Sequence, residues 1–131
     1  MATLTQRILI IDDDDAHRLL VRRALRGASV EIVEACTIDE AHKALLTYSS
    51  ELHLVILDMN LKGTPGLDVL SAFRAAFPFE KLPVVLISTS ALESDVQRGY
   101  QAGANCYIIK DTDPKEFNRA LSQAADFFLR R

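Results

Sequence analysis

Two short apolar runs, Ile8-Leu9-Ile10-Ile11 and Leu54-Val55-Ile56-Leu57, each stop at an aspartate. No other feature constrains the fold as tightly. A run of four apolar residues bounded by polar ones reads as a strand buried on both faces. Such strands belong to parallel sheets, which helices cover on both sides. The acids that follow, Asp12-Asp13-Asp14-Asp15 and Asp58, then crowd one rim of the sheet. Like charges held together are costly unless a cation relieves them. Side by side, the two strands would bring three carboxylates within reach of one hard cation, a divalent metal or a lysine.

The rest of the chain alternates in the same way. Strand patterns cover residues 7–11, 30–35, 54–58, 84–88 and 106–110. A helix over 15–26 follows the first and stops near Gly27. Asp14 and Asp15 cap it and favour its dipole. The second helix opens on Thr37-Ile38-Asp39-Glu40, a capping box, and carries Ala41, Leu45 and Tyr48. The third follows the loop Leu61-Lys62-Gly63-Thr64-Pro65-Gly66, with Leu67, Leu70 and Phe73 on one face. The fourth spans about 95–102 and stops at Gly103, placed as a C-terminal glycine cap. The fifth opens on Asp113-Pro114-Lys115-Glu116, an N-cap, a first-turn proline and a glutamate at the third position. Its Phe117, Leu121, Ala124 and Phe128 form a core face, while Ala120, Phe127 and Leu129 fall elsewhere, as a dimer surface would. Five βα units imply an α/β fold, a parallel sheet with helices on both faces. Residues 1–131 fit one domain. The first, third and fourth strands are the most apolar and should be central; the second, more polar, suits an edge.

Bulk properties remove several functions. A net charge of −3 argues against nucleic-acid binding driven by counterion release. No apolar run nears the ~20 residues needed to cross a bilayer. The N-terminus has no signal-peptide core. Cys36 and Cys106 read as small buried residues in a reducing cytosol rather than a bridge, so the protein is expected to be cytoplasmic. His17, His42 and His53 share no helical spacing and no nearby cysteine, which disfavours zinc, and nothing marks His17 as a phosphocarrier.

In open parallel sheets, ligands bind at the carboxyl ends of the strands. Those ends carry Asp12 and Asp13, then Asp58, then Ser88, then Lys110. Three carboxylates, a hydroxyl and an ammonium suit phosphoryl transfer to a carboxylate. Magnesium prefers a few carboxylates plus waters and phosphate oxygens, so Asp12, Asp13 and Asp58 form a ligand set for Mg2+. An aspartate can attack phosphorus. Lys110 would offset charge on the transferring oxygens, and Ser88 could donate a hydrogen bond to another.

These residues, in this order, resemble the receiver domain of two-component response regulators, over nearly the whole chain. The resemblance implies a flavodoxin-like, doubly wound five-stranded sheet in the order 2-1-3-4-5. It implies Asp58 as phosphoacceptor, Asp13 binding magnesium directly, Asp12 mainly through water, and the backbone carbonyl of Asn60 as a further ligand. Ser88 takes the switch hydroxyl position, Tyr107 the aromatic switch position, and Lys110 binds phosphate. The implied partners are a sensor histidine kinase or phosphotransfer protein and a downstream protein, with no nucleic acid or membrane. The implied chemistry is the domain's own phosphorylation and dephosphorylation, without turnover of a metabolite. The segment from Asn105 to Lys110, with Phe127-Phe128, is similar to single-domain regulators paired with bacterial phytochromes.

The sequence departs from the family pattern at Lys62 and Asp111, where prolines are common, and at Thr89, where a smaller residue is usual. Arg18, Arg22 and Arg26 form a basic stripe on the first helix. As a helix face it reads as solvated; the resemblance makes it a docking surface for the kinase. Two rivals stand beside this reading. One is a pseudo-receiver that binds partners without phosphorylation. The other is a small aspartate-nucleophile phosphohydrolase, disfavoured by Asn60 where such enzymes commonly carry an acid.

Overall fold

The computed structural model describes residues 6–25, 30–48, 51–61, 65–76, 81–110 and 113–129. Five strands, β1 (Gln6–Ile11), β2 (Val30–Ala35), β3 (Leu52–Asp58), β4 (Val84–Ser88) and β5 (Cys106–Ile109), alternate with five helices. The helices are α1 (Asp15–Ala24), α2 (Ile38–Tyr48), α3 (Gly66–Ala76), α4 (Glu93–Gln101) and α5 (Pro114–Leu129). All strand pairs are parallel, in the order β2-β1-β3-β4-β5. β1, β3 and β4 are interior, as their apolar runs require, and β2 lies at an edge.

Side chains alternate across each strand, so every central strand serves two cores. Ile8, Ile10, Leu54, Ile56, Val85 and Ile87 pack with Val21 and Leu25 of the α1 region and Phe117 and Leu121 of α5. Leu9, Ile11, Val55, Leu57, Val84 and Leu86 pack with Ala41 of α2 and Val69, Leu70 and Phe73 of α3. Truncating a fully buried leucine such as Leu57 to alanine would cost about 2–5 kcal/mol.

Local chemistry sets the helix ends. Asp14 caps α1 by accepting from the amides of Ala16 and His17 at 2.8 and 3.2 Å. Thr37 Oγ1 accepts from the Glu40 amide at 3.1 Å, while the Glu40 carboxylate reaches back to the Cys36 amide at 2.8 Å. That is a capping box displaced by one residue at its return bond. α4 ends in a Schellman pair: the amide of Ala104 donates to Gly99 O and that of Gly103 to Tyr100 O. Gly103 has φ +113°, which explains the glycine there. Asp113 caps α5 through the Lys115 amide at 2.9 Å.

Several expectations are corrected. α1 ends at Ala24 with Leu25 as its cap; Arg26 and Gly27 lie outside the described residues, as do Lys62 and Asp111. α4 begins two residues before the expected start, at Glu93. Ser90 Oγ accepts from the Leu92 amide and bonds Asp95 Oδ2 at 2.5 Å, organising a turn that periodicity does not register. On α5 the buried line is Phe117, Leu121, Ala125 and Leu129. Ala124 and Phe128 are only partly buried. Four-residue steps drift about 40° around a helix, so Leu129 joins the core and Phe127, 78% exposed, does not. Cys36 is exposed rather than buried, and both cysteines are free.

Candidate phosphoryl-transfer site

The sheet delivers the expected residues to one rim. The amide of Asp12 is held by Ala35 O at 3.1 Å, that of Met59 by Ile87 O at 2.9 Å, and that of Lys110 by Ser88 O at 2.6 Å. Each strand end is thus tied to its neighbour just where its polar residue begins. α3 approaches the same rim closely. A Cβ on Gly66 would lie 2.6 Å from Met59 Cα and 2.7 Å from Asp58 O, so only glycine lets α3 start against the end of β3.

Asp12 and Asp58 are 2% and 3% exposed, and Ser88 1%. Lys110 Nζ is 3.0 Å from Asp58 Oδ1 and 3.9 Å from Asp12 Oδ2. The Asn60 amide donates to Asp58 Oδ1 at 3.0 Å, and the Asp14 amide to Asp12 Oδ1 at 2.9 Å. Asp13 sits half-buried beside them and Asn60 is exposed. Burial of the Asp12 carboxyl pushes its pKa up to about 7, against the opposing pull of the Asp14 amide, and the Asp58 charge adds to the rise. The pocket therefore holds more negative charge than Lys110 alone relieves. Its oxygen-rich donor set suits a hard divalent cation, so the residues present fit Mg2+.

Ser88 Oγ accepts from the Ser90 amide at 3.1 Å. Tyr107 is half-buried, and its hydroxyl donates to Ser90 O at 2.9 Å. A Cβ on Gly99 would lie 3.0 Å from Tyr107 Cδ2, so a bare backbone patch on α4 makes room for the ring. Ser88 and Tyr107 thus meet through one loop, residues 88–90. Thr89 is exposed there.

Two residues depart from the sequence reading. Arg18 was expected on a solvated face. It is 8% exposed, donates to Asp12 O at 2.6 Å and to Glu34 Oε1 at 3.0 Å, and pairs with Asp15. An acidic loop flanked by Glu34 draws the guanidinium inward. In sequence His17 shares no helical spacing with another histidine and has no nearby cysteine. In the fold its Nδ1 lies 2.9 Å from Lys110 Nζ and 3.7 Å from Asp12 Oδ2. Ligand atoms of Asp12, His17 and Asp58 all fall within 4.8 Å of one another. Its position one helical turn after Asp13 was the available signal.

Among the described residues no helix is long and apolar enough to cross a membrane. The response regulator receiver domain model matches residues 8–122. The DNA-binding response regulator MtrA of Mycolicibacterium smegmatis is 36% identical over 118 residues, covering 88% of this chain and 49% of that protein. The transcriptional regulatory protein SrrA of Staphylococcus aureus is 29% identical over 113 residues, covering 86% of this chain and 45% of that protein. The chain thus spans about half the length of the curated relatives it matches. The phosphorylated cyanobacterial phytochrome response regulator RcpA superposes with a TM-score of 0.83 at 28% identity, covering 95% of this chain and 94% of that one. The Mn(2+)-bound response regulator Rcp1 superposes at 0.80 and 27%, with the same coverage. With a matching family model over most of its length and the sheet order of the fold, this chain belongs to the response regulator receiver domain family.

Proposed function

We propose that this receiver takes a phosphoryl group on Asp58 from a histidine kinase or phosphotransfer protein, and that the modification changes the surface it offers a downstream protein. The observation that carries the reading is the buried Asp58 carboxylate paired with Lys110 Nζ at 3.0 Å beside a second buried acid, Asp12. In the transfer, a bond forms between an Asp58 carboxylate oxygen and phosphorus. The bond from phosphorus to the donor's nitrogen or oxygen breaks, and its electron pair leaves with the donor. Lys110 stays beside the reacting carboxylate and meets the negative oxygens of the group in flight. The Asn60 amide fixes the carboxylate's orientation.

Asp12, Asp13 and Asp58, with the Asn60 backbone carbonyl, would hold Mg2+, which when bound neutralises charge on the transferring oxygens. Ser88, a strand away, would turn its hydroxyl to a phosphoryl oxygen. That would release the Ser90 amide it now accepts from and shift the loop that carries the Tyr107 hydroxyl bond. A groove of about 360 Å³ lies between α1 and α5, lined by Leu20, Arg23, Pro114, Lys115, Phe117 and Asn118. Arg18 points inward, so it is Arg22 that keeps the first-helix stripe at the surface among the described residues.

Incubation with acetyl phosphate and magnesium should add one phosphoryl group per chain. Asp58→Asn and chelation of magnesium should each abolish the labelling. Undiminished labelling of Asp58→Asn would sink the reading, and a wild type that never labels would leave the pseudo-receiver.

A further inference from the structure

Lys110 stands at the end of β5, two strands from Asp58 in the order β3-β4-β5. Its ammonium crosses the end of β4 on a flexible four-carbon stem. Freezing such a stem is costly in rotamer entropy, so the head needs acceptors where it arrives. Among the described residues it finds two at hydrogen-bond distance: Asp58 Oδ1 at 3.0 Å and His17 Nδ1 at 2.9 Å. Asp12 Oδ2, at 3.9 Å, is too far for a third. The lysine side chain is 9% exposed, so water has little room to substitute.

An ammonium carries three hydrogens and no lone pair. In the contact with Lys110, Nδ1 of His17 can only serve as the acceptor. His17 is itself held in place. Its amide donates to the Asp14 cap at 3.2 Å, which fixes the first turn of α1 against the rim.

We propose that His17 is a positioning residue for Lys110. Its Nδ1 holds the ammonium over Asp58 before a phosphoryl group arrives, so that the charge needed in transfer is already in place. The inference rests on Asp58 being the phosphoacceptor. It assigns a role in that chemistry to a histidine that α1, rather than a strand end, brings to the site. Positioning of this kind speeds transfer because no reorganisation remains at the moment of reaction.

Three proteins test it: wild type, His17→Leu and His17→Asn. Asparagine keeps an acceptor oxygen close to the place of Nδ1, and leucine has none. The first readout is the rate constant of labelling by acetyl phosphate with magnesium. The leucine variant should be about tenfold slower, and the asparagine variant within about twofold of wild type. The second readout needs no phosphorylation. It is the 1H–15N correlation of the Lys110 ammonium, which is visible when the group is buried, hydrogen-bonded and slow to exchange. The signal should persist in wild type and asparagine and disappear in leucine, with backbone amide spectra showing all three folded. Wild-type rate or a retained Lys110 signal in the leucine variant would overturn the proposal, as would an asparagine variant as slow as leucine. A wild type that does not label defeats the phosphoacceptor reading instead, while the ammonium signal still reports whether His17 holds the lysine.

Discussion

The two ends of this sheet both carry networks of polar groups, half-buried or exposed at the amino end and buried at the carboxyl end. At the amino end, Arg74 of α3 donates to Gly103 O at 2.8 Å, Leu82 O at 2.8 Å and Asn105 Oδ1 at 2.7 Å. The same Asn105 oxygen accepts from the Val84 amide at 2.9 Å. On the other side of β3, Arg7 pairs with Glu31 and Glu51 at 3.1 and 3.0 Å and lies 4.4 Å from the Tyr48 ring centroid. Here both arginines meet acceptors or opposite charge. At the carboxyl end, two buried carboxylates share one ammonium, and burial with mutual repulsion forces Asp12 up to about 7. The amino end fastens the fold. The carboxyl end holds charge at a cost in stability, and that unrelieved negative charge favours a bound cation.

The largest effect should come from breaking the fastened end. Arg74→Ala removes the donor that the carbonyls of Gly103 and Leu82 and the Asn105 amide oxygen share, leaving Asn105 Oδ1 only the Val84 amide. It should cost about 3 kcal/mol in chemical denaturation, since hydrogen bonds to a charged group are worth more than neutral ones. Labelling of Asp58 in the remaining folded protein should be unchanged. A variant that loses labelling but not stability would reverse the assignment of the two ends.

The next effect sharpens the contrast through pH. Asp12 has a folded pKa raised from 3.8 to about 7, so between those values the folded state binds more protons than the unfolded. Stability from this group is full below about pH 3.8 and is lost as pH rises through 7. Metal-free protein should therefore be about 2 kcal/mol less stable at pH 7.5 than at pH 5.5. Urea unfolding at the two pH values checks this, and a rise in stability with pH would contradict it. Asp14 and Asp95, whose carboxyls are held low by a backbone amide and by the Ser90 hydroxyl, act only at more acidic pH and do not confuse the comparison.

Magnesium should then act where protons do. At pH 7.5, millimolar magnesium should stabilise the protein by about 1–2 kcal/mol through native-state binding, and by less at pH 5.5, where protons compete. Equal stabilisation at both values, or none, would separate the metal from the acidic pocket.

Much of this could be read from the chain. Apolar runs ending in Asp12, Asp58, Ser88 and Lys110 are strand signals and site signals at once, because a parallel sheet gathers strand ends at one rim. Gly103 and the Asp113-Pro114 pair marked helix ends through local backbone chemistry alone. What escaped was set by tertiary contact. Arg18 and His17 lie on a helix whose exposed face cannot be told from sequence until β1 and the acidic loop are placed beneath it. The Leu129 position depended on which line of four-residue steps along α5 meets the core. The role of Arg74 depended on three partners distant from it in sequence, Leu82, Gly103 and Asn105.

The most direct test of the contrast is the melting temperature of metal-free Asp12→Asn at pH 7.5. Asparagine keeps an oxygen to accept from the Asp14 amide and removes the charge that burial opposes. The account predicts a gain of about 1 kcal/mol, a rise of about 3–5 °C for a domain of this size. A melting temperature at or below that of wild type would show that the acidic rim is not held against its own repulsion.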